Sequence, residues 1–116
     1  MTETTIFHNP RCSKSRQTLA LLEEHGETPT VTEYLKSPPS IEKIQYIIEQ
    51  LGIEPRDLMR KGEAEYKELN LSDETLNPED LITAMHTNPR LIERPIVIKN
   101  GKVAVGRPPE NILTIL

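Results

Sequence analysis

The first 35 residues predict a strand, a helix and a second strand, and this order restricts the fold more than any other feature of the chain. Thr4–Phe7 is a short run of β-forming residues, and Thr30–Tyr34 is an alternating run that again contains β-formers. Between them, residues 13–25 carry Leu19 and Leu22 on one helical face. A β-α-β crossover is right-handed and leaves its two strands parallel, so this region predicts part of an α/β sheet.

The middle of the chain is predicted to be helical. Ser40 is a candidate N-cap and Gly52 a helix stop, and five apolar residues recur between them at helical spacing: Ile41, Ile44, Ile47, Ile48 and Leu51. Pro55–Met59 predicts one more short turn of helix. A further helix is predicted to begin after Asn77-Pro78 and to end before Asn88-Pro89. No repeat, low-complexity tract or linker divides the sequence, so we expect a single domain over residues 1–116.

The last third of the chain predicts a hairpin and a closing helix. Pro95–Lys99 contains a β-branched run, Asn100-Gly101 is a strong hairpin-turn signal, and Val103–Val105 is the return strand. Pro108-Pro109 then opens a last helix. The order β-α-β, helical insertion, β-β-α is typical of the thioredoxin-like plan. We therefore expect a thioredoxin-like α/β fold with a mixed four-stranded sheet.

The composition argues against several classes of protein. The formal net charge of −4 argues against a nucleic-acid-binding protein, which usually carries a basic surplus. One cysteine excludes a disulfide framework and a cysteine-based metal cluster, and the three histidines lack metal-ligand spacing. No apolar run has the length of a membrane span, and no signal peptide is evident. We expect a cytoplasmic monomer with no metal, no bound cofactor and no membrane or nucleic-acid partner.

Cys12 is the candidate nucleophile. It lies where the first predicted helix begins, and there unpaired N–H groups and the helix dipole favour an anion. Three cations lie nearby in sequence: Arg11, Lys14 and Arg16. The hydroxyl of Ser13 or Ser15 is a candidate donor to a thiolate, and His8 lies four residues upstream. The sequence thus predicts a thiol of lowered pKa, and the alternative is a small, buried, apolar cysteine.

The same helix terminus is a candidate oxyanion site, because helix N-termini bind anions. The spacing Cys12-x3-Arg16 does not meet the Cys-x5-Arg signature of protein tyrosine phosphatases. Arg60, Arg94 and Arg107, taken one at a time, resemble ordinary surface charges. Arg94 and Arg107, however, flank the predicted hairpin strands, whose ends we expect beside Cys12. A planar guanidinium is the side chain best matched to an oxyanion.

The segment around Cys12 resembles the active-site signature of the arsenate reductase family that uses glutathione and glutaredoxin. It reads His8-Asn9-Pro10-Arg11-Cys12-Ser13-Lys14-Ser15-Arg16. Further matches follow in order along essentially the whole chain: Glu33-Tyr34-Leu35, Leu58-Met59-Arg60-Lys61, Tyr66-Lys67-Glu68-Leu69, Asn88-Pro89, Leu91-Ile92-Glu93-Arg94-Pro95-Ile96-Val97 and Gly106-Arg107-Pro108. The best-known members continue with a C-terminal tail, so this chain resembles a shorter branch.

The resemblance implies a role for each matching residue. Cys12 would be the nucleophile, with His8 and Ser15 supporting its thiolate. An oxyanion-binding triad would consist of three arginines: Arg60, Arg94 and Arg107. The Arg94-Pro95 bond would be cis, as is typical of thioredoxin-like proteins near the active thiol.

The function that the resemblance implies is reduction of arsenate to arsenite. Cys12 would attack arsenic, glutathione would be the co-substrate, and glutaredoxin would resolve the mixed disulfide because the chain has no second thiol. One alternative is a glutathione-dependent thiol oxidoreductase with another substrate, which the Cys12-x-x-Ser15 spacing permits. A second alternative is a redox-related regulatory protein that binds RNA polymerase, although such relatives commonly carry a Cys-x-x-Cys switch.

Overall fold

The computed structural model describes residues 4–116 and divides them into two units. The first consists of the described residues up to Ser37 together with Arg94–Leu116, and the second is Pro38–Glu93. The first unit contains all four strands, and the second contains the helical insertion that the sequence predicted. The single domain over residues 1–116 stays a prediction.

The sheet of the first unit is mixed, as predicted. Its strands are β1 (Thr4–Phe7), β2 (Thr30–Thr32), β3 (Ile96–Lys99) and β4 (Lys102–Val105), in the order β2-β1-β3-β4. Strand β1 pairs in parallel with β2 and antiparallel with β3, and β3 pairs antiparallel with β4. The β3–β4 turn has positive φ at both Asn100 and Gly101 (53° and 77°), the conformation for which an Asn-Gly pair is favoured.

Two helices pack with this sheet around an aliphatic core. Helix α1 spans Ser13–Glu24, close to the predicted residues 13–25. The closing helix, Pro109–Ile115, is a 3₁₀ helix, in which bonds such as Asn111 N–H to Pro108 O join residues three apart. The buried cluster takes residues from both helices and three strands: Ile6, Leu22, Val97, Ala104 and Ile112.

Strand β2 is shorter than the alternating pattern predicted. It ends at Thr32 rather than Tyr34, because the backbone N–H groups of Lys36 and Ser37 both donate to the Glu33 carbonyl and close a turn. Tyr34 therefore lies in a turn instead of a strand. Its side chain is nevertheless only 1% exposed, so this turn carries a buried aromatic ring at the carboxyl end of β2.

The second unit is built from helices α2 (Ile41–Leu51), α3 (Ala64–Glu68) and α4 (Pro78–Thr87), with 3₁₀ helices at Pro55–Leu58 and Pro89–Leu91. Ser40 Oγ accepts the Lys43 N–H and caps α2, and Gly52 ends that helix with a φ of 66°. Asn77 and Asp80 form a capping box at the start of α4. The buried residues of α2 and α4 recur at helical spacing: Ile44, Ile47, Ile48, Leu81, Ile82 and Met85.

Candidate active site

Cys12 is the N-cap residue of α1. Its backbone is extended (φ −96°, ψ 123°), and its carbonyl accepts the first helical bond, from the Arg16 N–H at 3.0 Å. The thiol is free and partly exposed. An N-cap side chain faces the unpaired N–H groups of the first helical turn, so the position that the sequence predicted for the thiol is the one observed.

The thiol of Cys12 has a pKa below its ordinary value. Partial burial acts in the opposite direction, because it disfavours the thiolate. Four interactions lower the pKa and together outweigh burial: a side-chain hydrogen bond from Arg94, the Ser15 N–H, the Arg94 charge and the Lys14 N–H. These groups stabilise the negative sulfur, so a larger fraction of Cys12 is thiolate near neutral pH than in a free cysteine.

His8 and Ser15 form a buried pair beside the thiol. Ser15 is fully buried and His8 is 6% exposed, and His8 Nδ1 lies 2.6 Å from Ser15 Oγ. Ser15 Oγ also accepts the Asn9 N–H at 3.0 Å. It is thus the Ser15 backbone N–H, rather than its hydroxyl, that lowers the pKa of Cys12. The hydroxyl fixes the loop that leads into α1.

His8 is held in its neutral form. Burial lowers its pKa, and the Arg16 charge acts in the same direction, while the Glu33 carboxylate partly opposes both. Its backbone N–H donates to Thr32 O at 2.8 Å, which continues the pairing of β1 with β2. The contact that His8 makes in the loop is therefore with Ser15, the residue whose backbone N–H lowers the pKa of Cys12.

Arg94 is the guanidinium at the thiol. The Arg94–Pro95 peptide bond is cis, as the family resemblance implied, and Arg107–Pro108 is cis as well. Burial would lower the pKa of Arg94, but its hydrogen bond with Cys12 and its interactions with Tyr34 raise it. Arg107 Nη1 donates to Arg94 O at 3.3 Å. The first unit thus brings the Arg94 side chain to Cys12 and ties the Arg107 side chain to the Arg94 backbone.

Arg60, the third predicted oxyanion ligand, lies in the second unit. Its Nη1 is 3.1 Å from Glu93 Oε1, and its Nε is 3.4 Å from Glu63 Oε1. Its backbone N–H donates to Leu91 O at 2.6 Å, next to a β-bridge between Met59 and Ile92. Two carboxylates therefore hold this guanidinium in the second unit.

Sequence reasoning missed Tyr34 and overestimated the local cations. Tyr34 was part of a matching motif but was assigned to a strand and given no role. Arg11, Lys14 and Arg16 are exposed, and the Arg16 guanidinium donates to Pro10 O at 2.8 Å. The cation that the structure brings to the thiol is Arg94, which comes from the far end of the sequence.

Among residues 4–116, no group of three or more His, Cys, Asp or Glu side chains is placed to hold a metal ion. None of the helices in this part of the chain combines the length and the apolarity that a membrane crossing needs.

Comparison with known proteins identifies the family. The sequence matches the model of the ArsC family over residues 7–115. The chain belongs to the ArsC family. An arsenate reductase from Neisseria meningitidis serogroup A is 49% identical over 117 aligned positions and covers 100% of both chains. The protein YfgD of Escherichia coli K12, described as uncharacterized, is 53% identical over 112 residues, which is 96% of this chain and 94% of that one.

A solved structure extends this agreement to three dimensions. The arsenate reductase from Vibrio cholerae is 52% identical, covers 99% of this chain and 98% of its own, and superposes with a TM-score of 0.96. The predicted α/β, thioredoxin-like fold of an ArsC-family member is therefore confirmed. This likeness covers nearly the whole of both chains, so it includes the helical insertion as well as the sheet.

Proposed function

We propose that this protein is an arsenate reductase that uses Cys12 as its nucleophile and takes its reducing thiols from glutathione and glutaredoxin. The observation that carries the proposal is the Cys12 thiol at the N-terminus of α1, with a lowered pKa and the Arg94 guanidinium hydrogen-bonded to it. The arsenate reductases of N. meningitidis and V. cholerae, similar over nearly the whole chain, support the choice of substrate.

The arginines fit the charge of the substrate. Arsenate resembles phosphate and carries a charge of about −1.5 to −2 at neutral pH. Arg94 and Arg107 are joined through Arg94 O in the first unit, and α1 adds the N–H groups of its first turn. We propose that Arg60 completes the oxyanion site, as the resemblance implies. Guanidinium groups and helix N-termini aimed at a reacting oxyanion stabilise the charge that develops in the transition state.

The chemistry balances with two thiols. The Cys12 thiolate attacks arsenic, an arsenate oxygen takes up protons and leaves as water, and a sulfur–arsenic bond forms. Glutathione supplies the second thiol. The two sulfurs lose two electrons and become a disulfide, arsenic gains both electrons, and the As(III) product leaves as arsenite.

The reductant must come from outside because the sequence contains one cysteine. The mixed disulfide between Cys12 and glutathione cannot be resolved within the chain. The glutaredoxin thiolate would attack it and release the Cys12 thiol by thiol–disulfide exchange. The predicted cytoplasmic location agrees with this scheme, since the glutathione pool keeps cytosolic thiols reduced.

The test is an assay of arsenite formation with glutathione, glutaredoxin and their recycling enzyme, for the wild type and four variants. Cys12→Ser should fall to background, and Arg60→Ala and Arg94→Ala should each lose about 100-fold in kcat/KM. Lys102→Ala, which removes an exposed charge on β4, is the control and should keep full activity. A Cys12→Ser enzyme that still turns over would refute the mechanism.

The alternative, a thiol oxidoreductase without oxyanion chemistry, is separated in the same experiment. A glutathionylated peptide replaces arsenate as the acceptor for the same set of proteins. If the wild type reduces the peptide and not arsenate, or if the arginine variants keep full activity on arsenate, the arsenate proposal is wrong.

A further inference from the structure

Tyr34 is a buried tyrosine close to the proposed nucleophile. It follows β2, and its side chain is 1% exposed. The turn that presents it is closed by two hydrogen bonds, from Lys36 N–H at 2.9 Å and Ser37 N–H at 3.0 Å, both to Glu33 O. A buried tyrosine has a polar end that must interact with a specific partner.

That partner is Arg94. Phe7 of β1 lies opposite Thr32 of β2 and Ile96 of β3, so Tyr34, two residues after Thr32, and Arg94, two residues before Ile96, come at the same end of the sheet. There the buried Tyr34 side chain interacts with the Arg94 guanidinium, which is also hydrogen-bonded to Cys12. Because a guanidinium has only donors, the tyrosine oxygen is the acceptor in this contact. The planar guanidinium presents its N–H groups in a fixed fork, so one group can donate to the tyrosine while another faces the sulfur.

We propose that Tyr34 is a positioning residue for the reaction, whose hydroxyl holds the Arg94 guanidinium in the orientation that donates to the Cys12 sulfur. The proposal rests on the proposed function, in which Cys12 is the nucleophile. It adds a third member to the pair of Cys12 and Arg94, and it assigns to Tyr34 a role that it exerts through Arg94.

The physical reason for such a residue is the freedom of an arginine side chain. Its four rotatable bonds allow many orientations, and only a few of them place an N–H group on the sulfur. Tyr34 has a rigid ring with two rotatable bonds, buried at a turn that the backbone closes. Contact with this fixed oxygen selects one arginine orientation before substrate arrives, and preorganised donors act at no further cost during the reaction.

The main test is Tyr34→Phe, which removes only the hydroxyl. The rate of iodoacetamide alkylation, measured against pH, reports how readily Cys12 ionises and requires no arsenate. In the variant, the acid dissociation constant of Cys12 should be about threefold to tenfold smaller than in the wild type, the range that loss of one hydrogen bond gives. In the arsenate assay, kcat/KM should fall by about the same factor. An alkylation profile identical to the wild type would overturn the proposal.

A double-mutant cycle with Arg94→Ala tests whether Tyr34 acts through Arg94. Once Arg94 is absent, Tyr34→Phe should produce no further change in the alkylation profile, because interacting residues are not additive. A shift of the same size in both backgrounds would overturn the proposal, since it would show a merely structural effect. Tyr46→Phe makes the same chemical change on α2 and should leave the profile unchanged.

A second modification keeps the test valid if Tyr34→Phe fails to fold. The chain has three tyrosines, so Tyr34 is the only one left in a Tyr46→Phe, Tyr66→Phe protein. Growth on 3-fluorotyrosine then changes this residue alone and makes its oxygen a weaker acceptor. The alkylation midpoint, compared with that of the same protein grown on tyrosine and at pH values where the fluorinated ring is still protonated, should move upward, and an unmoved midpoint would overturn the proposal. A wild type without arsenate reductase activity would refute only the proposed function, because alkylation still tests Tyr34.

Discussion

Gly106 is the position at which one added methyl group should do most damage near the site. It follows β4, and its N–H donates to Pro95 O at 2.9 Å. A Cβ built there would lie 2.5 Å from Thr18 Oγ1, 2.8 Å from Pro95 Cγ and 3.0 Å from Thr18 Cγ2. Carbon atoms in contact are normally about 3.5–4.0 Å apart. Gly106→Ala therefore requires α1 or Pro95 to shift.

Neither neighbour can move easily. Thr18 is fully buried, and its hydroxyl donates to Lys14 O at 2.8 Å. Pro95 has a rigid ring, and its carbonyl accepts the Gly106 N–H at 2.9 Å. Overpacking of this kind costs about 1–3 kcal/mol. Alanine has less conformational freedom than glycine in the unfolded chain, which stabilises the folded state by about 0.4–1 kcal/mol. The net destabilisation should be about 0–2.6 kcal/mol, which still places Gly106→Ala below a glycine-to-alanine control that gains stability.

The assay is urea unfolding of Gly106→Ala beside Gly62→Ala. A Cβ at Gly62 meets no atom within 4 Å, so this control should be stabilised by about 0.4–1 kcal/mol. The unfolding midpoint of Gly106→Ala should move to a lower urea concentration, while the slope of the unfolding free energy against urea stays unchanged. Displacement of Pro95 also moves Arg94, so the Cys12 alkylation midpoint should rise in the same variant. Equal stability of the two variants would refute this reasoning.

Two further predictions concern the thiolate and the arginines. Ser15→Ala removes the oxygen bound to His8 Nδ1 and the Asn9 N–H, so the protein should lose about 1–3 kcal/mol of stability and the pKa of Cys12 should rise, with slower alkylation near neutral pH. Ser13→Ala is the control, since Ser13 is exposed, and an unmoved midpoint in Ser15→Ala would count against the loop argument. Glu93→Gln removes the charge 3.1 Å from Arg60, so KM for arsenate should fall by about 1.5- to 5-fold, whereas a raised KM would show that Glu93 orients Arg60 instead.

Local sequence patterns predicted most of the fold because short-range rules decide those elements. The five apolar residues between Ser40 and Gly52 became α2 at almost the expected bounds, and Asn100-Gly101 became the hairpin turn. The order of elements was then enough to predict the mixed sheet, because a β-α-β unit and a hairpin leave few arrangements of four strands. The ends of β2 and the form of the last helix depend on backbone bonds that no pattern reveals, such as those to Glu33 O.

The site was predictable only in part, for the same reason. That Cys12 begins a helix follows from its immediate neighbours, and so does the contribution of the Lys14 and Ser15 N–H groups. The pairing of His8 with Ser15 joins two residues seven apart and depends on the loop between β1 and α1. Charge counting favoured Arg11, Lys14 and Arg16 because they are near in sequence, yet sequence proximity says little about where a long exposed side chain points.

The two sources of thiolate stabilisation depend on different parts of the structure. The N–H groups of α1 require only that the helix begins at Ser13. Arg94 requires that β3 pairs with β1 and that Tyr34 is buried after β2, so its contribution depends on the whole sheet. Changes that loosen the β3–β4 hairpin should therefore raise the pKa of Cys12 before they unfold α1. The reactivity of this thiol is then a local measure of how well the first unit is assembled, and a substitution far from Cys12 can reduce activity without touching the substrate.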